Sequence, residues 1–110
     1  MQQTKSFNEK IYGLLRKVPK GKVTTYKILA EAAGTRAYRA VGQAMRCNPY
    51  APAVPCHRVV ASNGSIGGFQ GSKNTNGKEI KRKIMMLRKE GINIKDNKIA
   101  DFEKVLFGFD

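Results

Sequence analysis

The chain has 110 residues, enough for one domain with one modest core, and 41% of them are hydrophobic. Its net charge of +13 favours nucleic acid as a partner over an anionic membrane, because no segment joins a basic face to an aromatic stripe. Two cysteines and one histidine are too few for a disulfide scaffold or a four-ligand structural zinc site. We find neither a signal-peptide core nor a membrane-length apolar run, so we expect a cytoplasmic protein, nucleoid-associated if prokaryotic, with free thiols.

The first third of the chain predicts two helices. Ser6 and Glu9 have capping-box spacing, and one apolar face follows until Pro19 and Gly21 end the helix. Residues 22–24 are predicted to form a short extended segment. Thr24 or Thr25 caps a second helix over residues 26–33, which Gly34 terminates.

A third helix is predicted over residues 36–46, which makes a helix-turn-helix with the second. Its apolar stripe and its opposite face are both regular, the latter carrying Tyr38, Arg39, Gly42, Gln43 and Arg46. Small residues such as Ala40 and Gly42 would let the helix approach a duplex. The same small residues also fit a tightly packed core helix.

Three prolines then keep residues 48–55 extended and deliver Cys56 in a defined position. Residues 58–61 are predicted as a strand, Asn63 and Gly64 as a type I′ turn, and residues 65–66 as the return strand. Residues 67–77 are rich in Gly, Ser and Asn, which is typical of a loop.

The last third predicts a helix over residues 78–90, a short strand over 92–94, a turn at Asp96 and Asn97, and a tail helix. In the first of these helices, Ile80, Ile84 and Leu87 face the core. Its basic residues are predicted to face outward: Lys81, Arg82, Lys83, Arg88 and Lys89. The expected fold is a single α+β domain over residues 1–110, mainly α, a winged-helix-like helix-turn-helix with a short β-hairpin after the cysteine.

Cys56 is the candidate nucleophile, because Pro55 fixes its approach and His57, Arg58 and the chain's positive charge favour a thiolate. The alternative is a small buried hydrophobic residue, which is common for a free cysteine. Neighbours in extended chain point to opposite faces, so His57 is expected to act through water or a turned backbone. Spacing alone indicates no third partner.

The run Pro55-Cys56-His57-Arg58-Val59 resembles the active-site motif of the O6-alkylguanine-DNA alkyltransferases, also called methylated-DNA–protein-cysteine methyltransferases. The segment from Arg39 to Arg46 is similar to that family's recognition helix. Asn48-Pro49 lies at the family's spacing before the cysteine. The stretch from Val23-Thr24-Thr25-Tyr26 to Ala33-Gly34 is similar to its preceding helix. The similarity covers residues 7–94.

The resemblance implies one irreversible transfer of an alkyl group, such as methyl, from O6-alkylguanine in duplex DNA to Cys56, by a monomer without cofactor or metal. The base is flipped out after minor-groove binding. The implied catalytic residues are Cys56, His57 as base through water, Glu90 as its orienter, and Tyr26 as proton donor to the guanine. The implied DNA-binding residues are Arg39, which fills the stack, with Thr25, Ala40, Gly42, Gln43 and Arg46. Asn48 braces the loop, and Pro52, Val59, Phe69 and Gln70 complete the substrate pocket.

Larger members of the family carry an N-terminal domain before this one, whereas this sequence begins at the first helix of the second domain. We therefore expect neither that domain nor any zinc that it carries. The loop 71–78 is longer, and Phe69 and Gln70 stand where some relatives have Tyr and Ser. One alternative is a non-enzymatic lesion-binding relative, although those commonly replace the cysteine with tryptophan. A helix-turn-helix regulator is a further alternative, but it leaves Pro55-Cys56-His57 unexplained. A basic RNA-binding protein is another, which only the charge supports.

Overall fold

The computed structural model describes residues 6–51, 53–66 and 78–109, so Pro52, Phe69 and Gln70 lie outside the described residues. In chain order the elements are α1 (Phe7–Leu15), β1 (Thr24–Thr25), α2 (Tyr26–Ala32), α3 (Tyr38–Arg46), a 3₁₀ turn (Cys56–Arg58), β2 (Val59–Val60), α4 (Lys78–Lys89), β3 (Ile94–Lys95), β4 (Lys98–Ile99) and α5 (Phe102–Val105). The predicted fold class is confirmed: an α+β, mainly helical helix-turn-helix domain.

The helix-turn-helix consists of α2 and α3. The Thr25 hydroxyl caps α2 by accepting a backbone N–H at 3.0 Å, and Gly34 ends it with a φ of +80°. The helix α3 begins at Tyr38, two residues later than predicted. Thr35 Oγ1 accepts the N–H of Ala37 at 3.0 Å, which holds the intervening residues as a turn.

The core forms where α1 packs against both of these helices. Ser6 Oγ accepts the N–H of Glu9 at 3.2 Å, so α1 begins at the predicted cap. The buried Tyr12 hydroxyl donates to the Ala44 carbonyl at 2.8 Å, which ties α1 to α3. The shared core of the three helices is apolar: Ile11, Leu15, Leu29, Ala30, Val41 and Met45.

The strand that follows the cysteine pairs with β1, which lies 35 residues earlier. The pairing is parallel, with Thr24 opposite Val59 and Thr25 opposite Val60. All four of these residues are buried. This ladder brings the start of α2 next to the 3₁₀ turn that contains Cys56.

The predicted type I′ hairpin after the cysteine is wrong in its turn type. Gly64 has a φ of +86°, but Asn63 is not among the described non-glycine residues with positive φ, as a type I′ turn requires. Asn63 Oδ1 instead accepts the N–H of Ser65 at 3.0 Å, and Ser65 O accepts from Ala61 at 3.0 Å. Ser65 also bridges to Lys98 of β4, so the return strand pairs with another hairpin.

That other hairpin is formed by β3 and β4. Asp96 and Asn97 form its two-residue loop with φ values of 53° and 59°, the geometry of a type I′ turn. The predicted turn at these residues is confirmed, while the strand before it starts two residues later than expected. Its pairing joins Ile94 to Ile99.

The helix α4 ends one residue earlier than predicted, and Gly91 follows it with a φ of +90°. The predicted tail helix shortens to the four residues of α5. After α5 the chain extends, and the N–H of Phe107 donates to the Val23 carbonyl at 2.7 Å. Within the described ranges, no helix has the length and apolar character needed to cross a membrane.

Candidate active site

Cys56 is the first residue of the 3₁₀ turn and is only 3% exposed. Pro55 precedes the turn with a ψ of 71°, and its carbonyl accepts the N–H of Arg58 at 2.9 Å. The turned backbone explains how adjacent residues can serve one site, since extended chain would have separated Cys56 from His57.

Burial raises the pKa of the Cys56 thiol, and this effect outweighs the groups that favour the thiolate. Those groups are the hydrogen-bonding Asn48 side chain and the positive charges of Lys83 and Arg82. The prediction that cations act on the thiol is therefore right in sign. The pKa of the thiol is nevertheless raised, because desolvation is larger than the effect of these groups.

His57 lies beneath the surface, 2% exposed, and its Nε2 is 2.9 Å from Glu90 Oε2. Burial lowers the pKa of His57 and outweighs the opposing effect of Glu90, so the imidazole is neutral near pH 7. A carboxylate only accepts, so Nε2 carries the hydrogen and Nδ1 the lone pair. The buried Nδ1 bonds to none of the described protein groups and can accept a proton.

Arg58 was expected to favour the Cys56 thiolate, but the structure shows its side chain bound to Glu90 instead. Its Nε donates to Glu90 Oε1 at 2.9 Å, its Nη2 to Glu90 Oε2 at 2.7 Å, and its Nη1 to the Val18 carbonyl at 2.8 Å. Burial raises the pKa of Glu90, but Arg58 and His57 outweigh it and hold that pKa below its usual value. The implied contact of Glu90 with His57 is present, and Arg58 keeps the carboxylate ionised.

Asn48 holds the segment between α3 and the cysteine. Its Nδ2 donates to the Val54 carbonyl at 2.9 Å, and its Oδ1 accepts the N–H of Tyr50 at 2.9 Å. The Tyr50 ring packs edge-on against Tyr12 at 5.6 Å. The segment before Cys56 is therefore bound at both ends and anchored to α1.

Tyr26 lies at the first position of α2, half-buried and near the cysteine. Burial, followed by the nearby Cys56, raises its pKa to about 12. The phenol therefore keeps its hydrogen at neutral pH and can donate it.

The exposed face of α3 carries the residues implied for DNA binding. Arg39, Gln43 and Arg46 are exposed, while Ala40 and Gly42 are half-buried. The DNA-binding role implied for Thr25 needs correction. Thr25 is only 3% exposed and its hydroxyl caps α2, so its side chain is not available as a surface contact.

Lys83 is a site residue that the sequence analysis missed, because it was predicted to face outward. Its side chain is fully buried, and Nζ donates to the Val59 carbonyl at 2.6 Å and to the Ile66 carbonyl at 2.7 Å. A signal existed: position 83 falls between Ile80 and Leu87 on the helical stripe that faces the core.

A surface cavity of about 620 Å³ lies elsewhere, lined by Leu14, Lys17, Ile28, Glu31, Ala32, Phe107, Gly108 and Phe109. None of the predicted site residues lines it, so its size carries no argument for the chemistry at Cys56. Across the part of the chain that the structure describes, no three His, Cys, Asp or Glu residues cluster to bind a metal.

Together these features define a helix-turn-helix domain that carries a buried cysteine beside a histidine–glutamate–arginine network. The chain belongs to a known family of this class: residues 6–92 match the DNA-binding domain of 6-O-methylguanine DNA methyltransferase.

Curated relatives include proteins named methylated-DNA–protein-cysteine methyltransferase. The one from Metallosphaera sedula is 49% identical over 92 residues, which is 84% of this chain and 53% of the relative. The one from Sulfolobus acidocaldarius is 40% identical over 89 residues, which is 81% of this chain and 52% of the relative. The chain thus spans about half the length of these relatives.

Several solved structures have similar folds. S. pombe Atl1, crystallised with damaged DNA containing O6-carboxymethylguanine, has a TM-score of 0.78 at 29% identity, covering 96% of this chain and 98% of Atl1. The O6-methylguanine-DNA methyltransferase of Pyrococcus kodakaraensis has a TM-score of 0.67 at 42% identity, covering 81% of this chain and 48% of that one.

Proposed function

We propose that this protein repairs DNA by moving the alkyl group of an O6-alkylguanine in duplex DNA to the sulfur of Cys56. The observation that carries the proposal is the buried cysteine beside a neutral His57 that Glu90 orients at 2.9 Å. The names and sequence identities of the curated relatives support the same activity.

The reaction needs one proton transfer to the base and one to the leaving group. His57 accepts the Cys56 proton through a water at Nδ1, and the thiolate attacks the alkyl carbon. The carbon–oxygen bond breaks as the carbon–sulfur bond forms, and the electron pair leaves with the guanine. Tyr26 donates a proton to the guanine, and the proton held by His57 restores the phenol through solvent. The thioether product does not return to a thiolate, so each molecule acts once without a cofactor.

The exposed face of α3 is the DNA-binding surface in this proposal. Half-buried Ala40 and Gly42 leave room for close approach to the minor groove, and exposed Arg39 takes the place of the flipped base. Exposed Arg46 and the net charge of +13 supply sequence-independent attraction to phosphates.

Intact-protein mass spectrometry after incubation with duplex DNA containing O6-methylguanine tests the transfer. We expect one added methyl group per molecule, located on Cys56 by peptide mapping. Cys47 is the internal control because it is an exposed free thiol in the same chain. Cys47→Ala should react like the wild type, whereas methylation that persists in Cys56→Ala would exclude Cys56 as the acceptor.

Lesion recognition without transfer is a second candidate function, favoured by the match to nearly the whole length of Atl1. It predicts tight binding to the same duplex with an unchanged protein mass. Cys56 and its ordered partners favour transfer, since mere recognition would not need a base beside the thiol.

Base flipping is tested by comparing duplex substrate with free O6-benzylguanine. Arg39→Ala should slow the duplex reaction by about tenfold or more and leave the free-base reaction nearly unchanged, because only the duplex needs a side chain in the stack. Arg36→Ala, which removes an exposed arginine just before α3, is the matched control. Equal slowing of both reactions by Arg39→Ala would contradict the assignment.

A further inference from the structure

Tyr50 fastens the segment before Cys56 to α1, and the steps proposed above give it no role. Its ring meets the Tyr12 ring edge-on with 5.6 Å between the centroids, and the Arg16 guanidinium lies 5.3 Å from the Tyr50 centroid. Its hydroxyl donates to Glu9 Oε2 at 3.1 Å. Glu9 and Tyr12 lie in α1 and Arg16 is its C-cap, so one side chain joins this segment to the first helix of the chain.

Backbone hydrogen bonds connect the position of Tyr50 to that of the cysteine. The Tyr50 carbonyl accepts the N–H of Val54 at 3.1 Å, and the Val54 carbonyl accepts the N–H of Cys56 at 2.9 Å. Val54 is fully buried, so close packing leaves it little room to move independently of these bonds. A displacement of Tyr50 therefore reaches the backbone of Cys56 through one intervening residue.

Asn48 provides a second connection between Tyr50 and the thiol. Its Oδ1 accepts the N–H of Tyr50, and its Nδ2 donates to the Val54 carbonyl, both at 2.9 Å. The same side chain hydrogen-bonds to Cys56 and opposes the increase in the thiol pKa that burial causes. Tyr50 and Val54 thus fix the orientation in which the Asn48 amide meets the thiol.

Exposure alone does not explain the contacts of the Tyr50 ring. Tyr50 is 40% exposed, and Tyr38 on α3 is similarly exposed at 43%, yet the Tyr38 ring makes no comparable aromatic or cation contact with the described residues. Contacts at this exposure add little to stability, so a variant that lacks them should still fold. Their main effect is on where the segment before Cys56 lies.

We propose that Tyr50 is a positioning residue for Cys56: by fastening the preceding segment to α1, it holds the sulfur and the Asn48 amide in the geometry that alkyl transfer needs. Its importance for repair rests on the proposed function, whereas its effect on the thiol does not. A misplacement of reacting atoms by roughly 1 Å can slow a reaction about a hundredfold, so a contact outside the site can control the rate.

The first test measures methyl transfer from duplex DNA containing O6-methylguanine. At saturating DNA, Tyr50→Leu should slow transfer about tenfold, because the aliphatic side chain loses the ring contacts and the bond to Glu9. Its affinity for undamaged duplex should be nearly unchanged. Tyr50→Phe keeps both ring contacts and should retain most of the wild-type rate. Met85→Ala is the matched control, since it truncates a side chain that is 57% exposed on α4.

The second test measures the thiol without DNA. In a Cys47→Ser background Cys56 is the remaining cysteine, and the Cβ resonance of labelled cysteine reports its pKa. Tyr50→Leu should raise that pKa, because the segment that orients the Asn48 amide is released. The substitution leaves in place the neighbouring titratable groups and the charges that act on the thiol: Tyr12, Tyr26, His57, Arg82 and Lys83.

The proposal requires both effects. Wild-type transfer at saturating DNA or an unchanged thiol pKa in a folded Tyr50→Leu protein would overturn it, because a purely structural tyrosine alters stability alone. Weaker binding of undamaged duplex with a normal rate at saturation would also overturn it, since Tyr50 would then be a DNA contact.

Methyl transfer by the wild-type protein separates this inference from the proposed function. If the wild type transfers no methyl group, the proposed function fails, and the thiol titration still decides whether Tyr50 positions Cys56. If the wild type transfers and Tyr50→Leu behaves like Met85→Ala in both tests, only the inference about Tyr50 fails.

Discussion

Replacing Arg58 by methionine tests the network that orients His57. The substitution keeps most of the side-chain length and removes two hydrogen bonds to Glu90 and one to the Val18 carbonyl, all between 2.7 and 2.9 Å. It therefore separates the 3₁₀ turn from the ends of α1 and α4 without opening a large cavity.

The expected loss of stability follows from burial. Breaking a fully buried ion pair by removing one partner costs about 3–5 kcal/mol. The Arg58 and Glu90 side chains are 17% and 11% exposed, so solvent screening reduces the cost to about 2–3 kcal/mol. For a domain of this size that lowers the melting temperature by roughly 8–12 °C.

The loss should depend on pH in a defined direction. The pKa of Glu90 lies below its ordinary value in the folded protein, so its contribution to stability is present above the unfolded pKa and is lost as the pH falls through the folded pKa. The difference between wild type and Arg58→Met should therefore be largest near neutral pH and shrink in acid.

Histidine titration provides the second readout. His57 is the chain's one histidine, so a single imidazole resonance reports its pKa without assignment. Arg58 lowers the pKa of His57, and we therefore expect Arg58→Met to raise it. Arg88→Met is the control, because Arg88 is exposed on α4 and donates to the Ile94 carbonyl at 3.1 Å.

A stability loss below about 1 kcal/mol at neutral pH would refute the reasoning, since that is the range of an exposed pair. A fall in the His57 pKa would do so independently.

Three further substitutions test other parts of the site and core. Asn48→Ala should raise the Cys56 thiol pKa and cost about 1–3 kcal/mol, because buried hydrogen-bonding groups lose their partner; thiolate absorbance and urea unfolding measure the two effects. Tyr12→Phe should cost about 1–2 kcal/mol in urea unfolding, since the Ala44 carbonyl loses a donor at 2.8 Å, and a neutral result would argue against that bond. Gly64→Ala should lower the melting temperature, because φ is +86° and the new methyl would lie 3.1 Å from an aromatic ring; an unchanged value would contradict the turn geometry.

The helices were predictable because local patterns determine them. The caps of α1 and α2 could be read from neighbouring residues, and the structure confirms them. The predicted apolar stripe of α3 is confirmed at Val41, Ala44 and Met45, whereas Ala37 is exposed. The parallel pairing of the strand after the cysteine was not predicted, because its partner lies 35 residues earlier and no local pattern indicates it. The turn type at Asn63 was predicted wrongly because the Asn63 side chain accepts the N–H of Ser65, a bond that the backbone pattern of a type I′ turn does not include.

The contact between His57 and Glu90 was predictable from the family resemblance, whereas contacts that depend on burial were not. Arg58 stood inside the quoted motif, but its link to Glu90 depends on two elements meeting 32 residues apart in sequence. Lys83 was assigned to solvent because lysine is rarely buried, although its position lies on the apolar stripe of α4. The raised pKa of the Cys56 thiol was not predictable for the same reason, since desolvation depends on tertiary packing.

The order of the elements along the chain has a consequence for protein synthesis. Cys56 leaves the ribosome before α4, which carries Lys83 and precedes Glu90. Until that helix docks, the thiol has neither a buried cation nor an oriented imidazole and reacts as an ordinary solvated cysteine. A growing chain therefore exposes Cys56 without its partners, and the finished domain completes the network around the thiol in the last steps of folding.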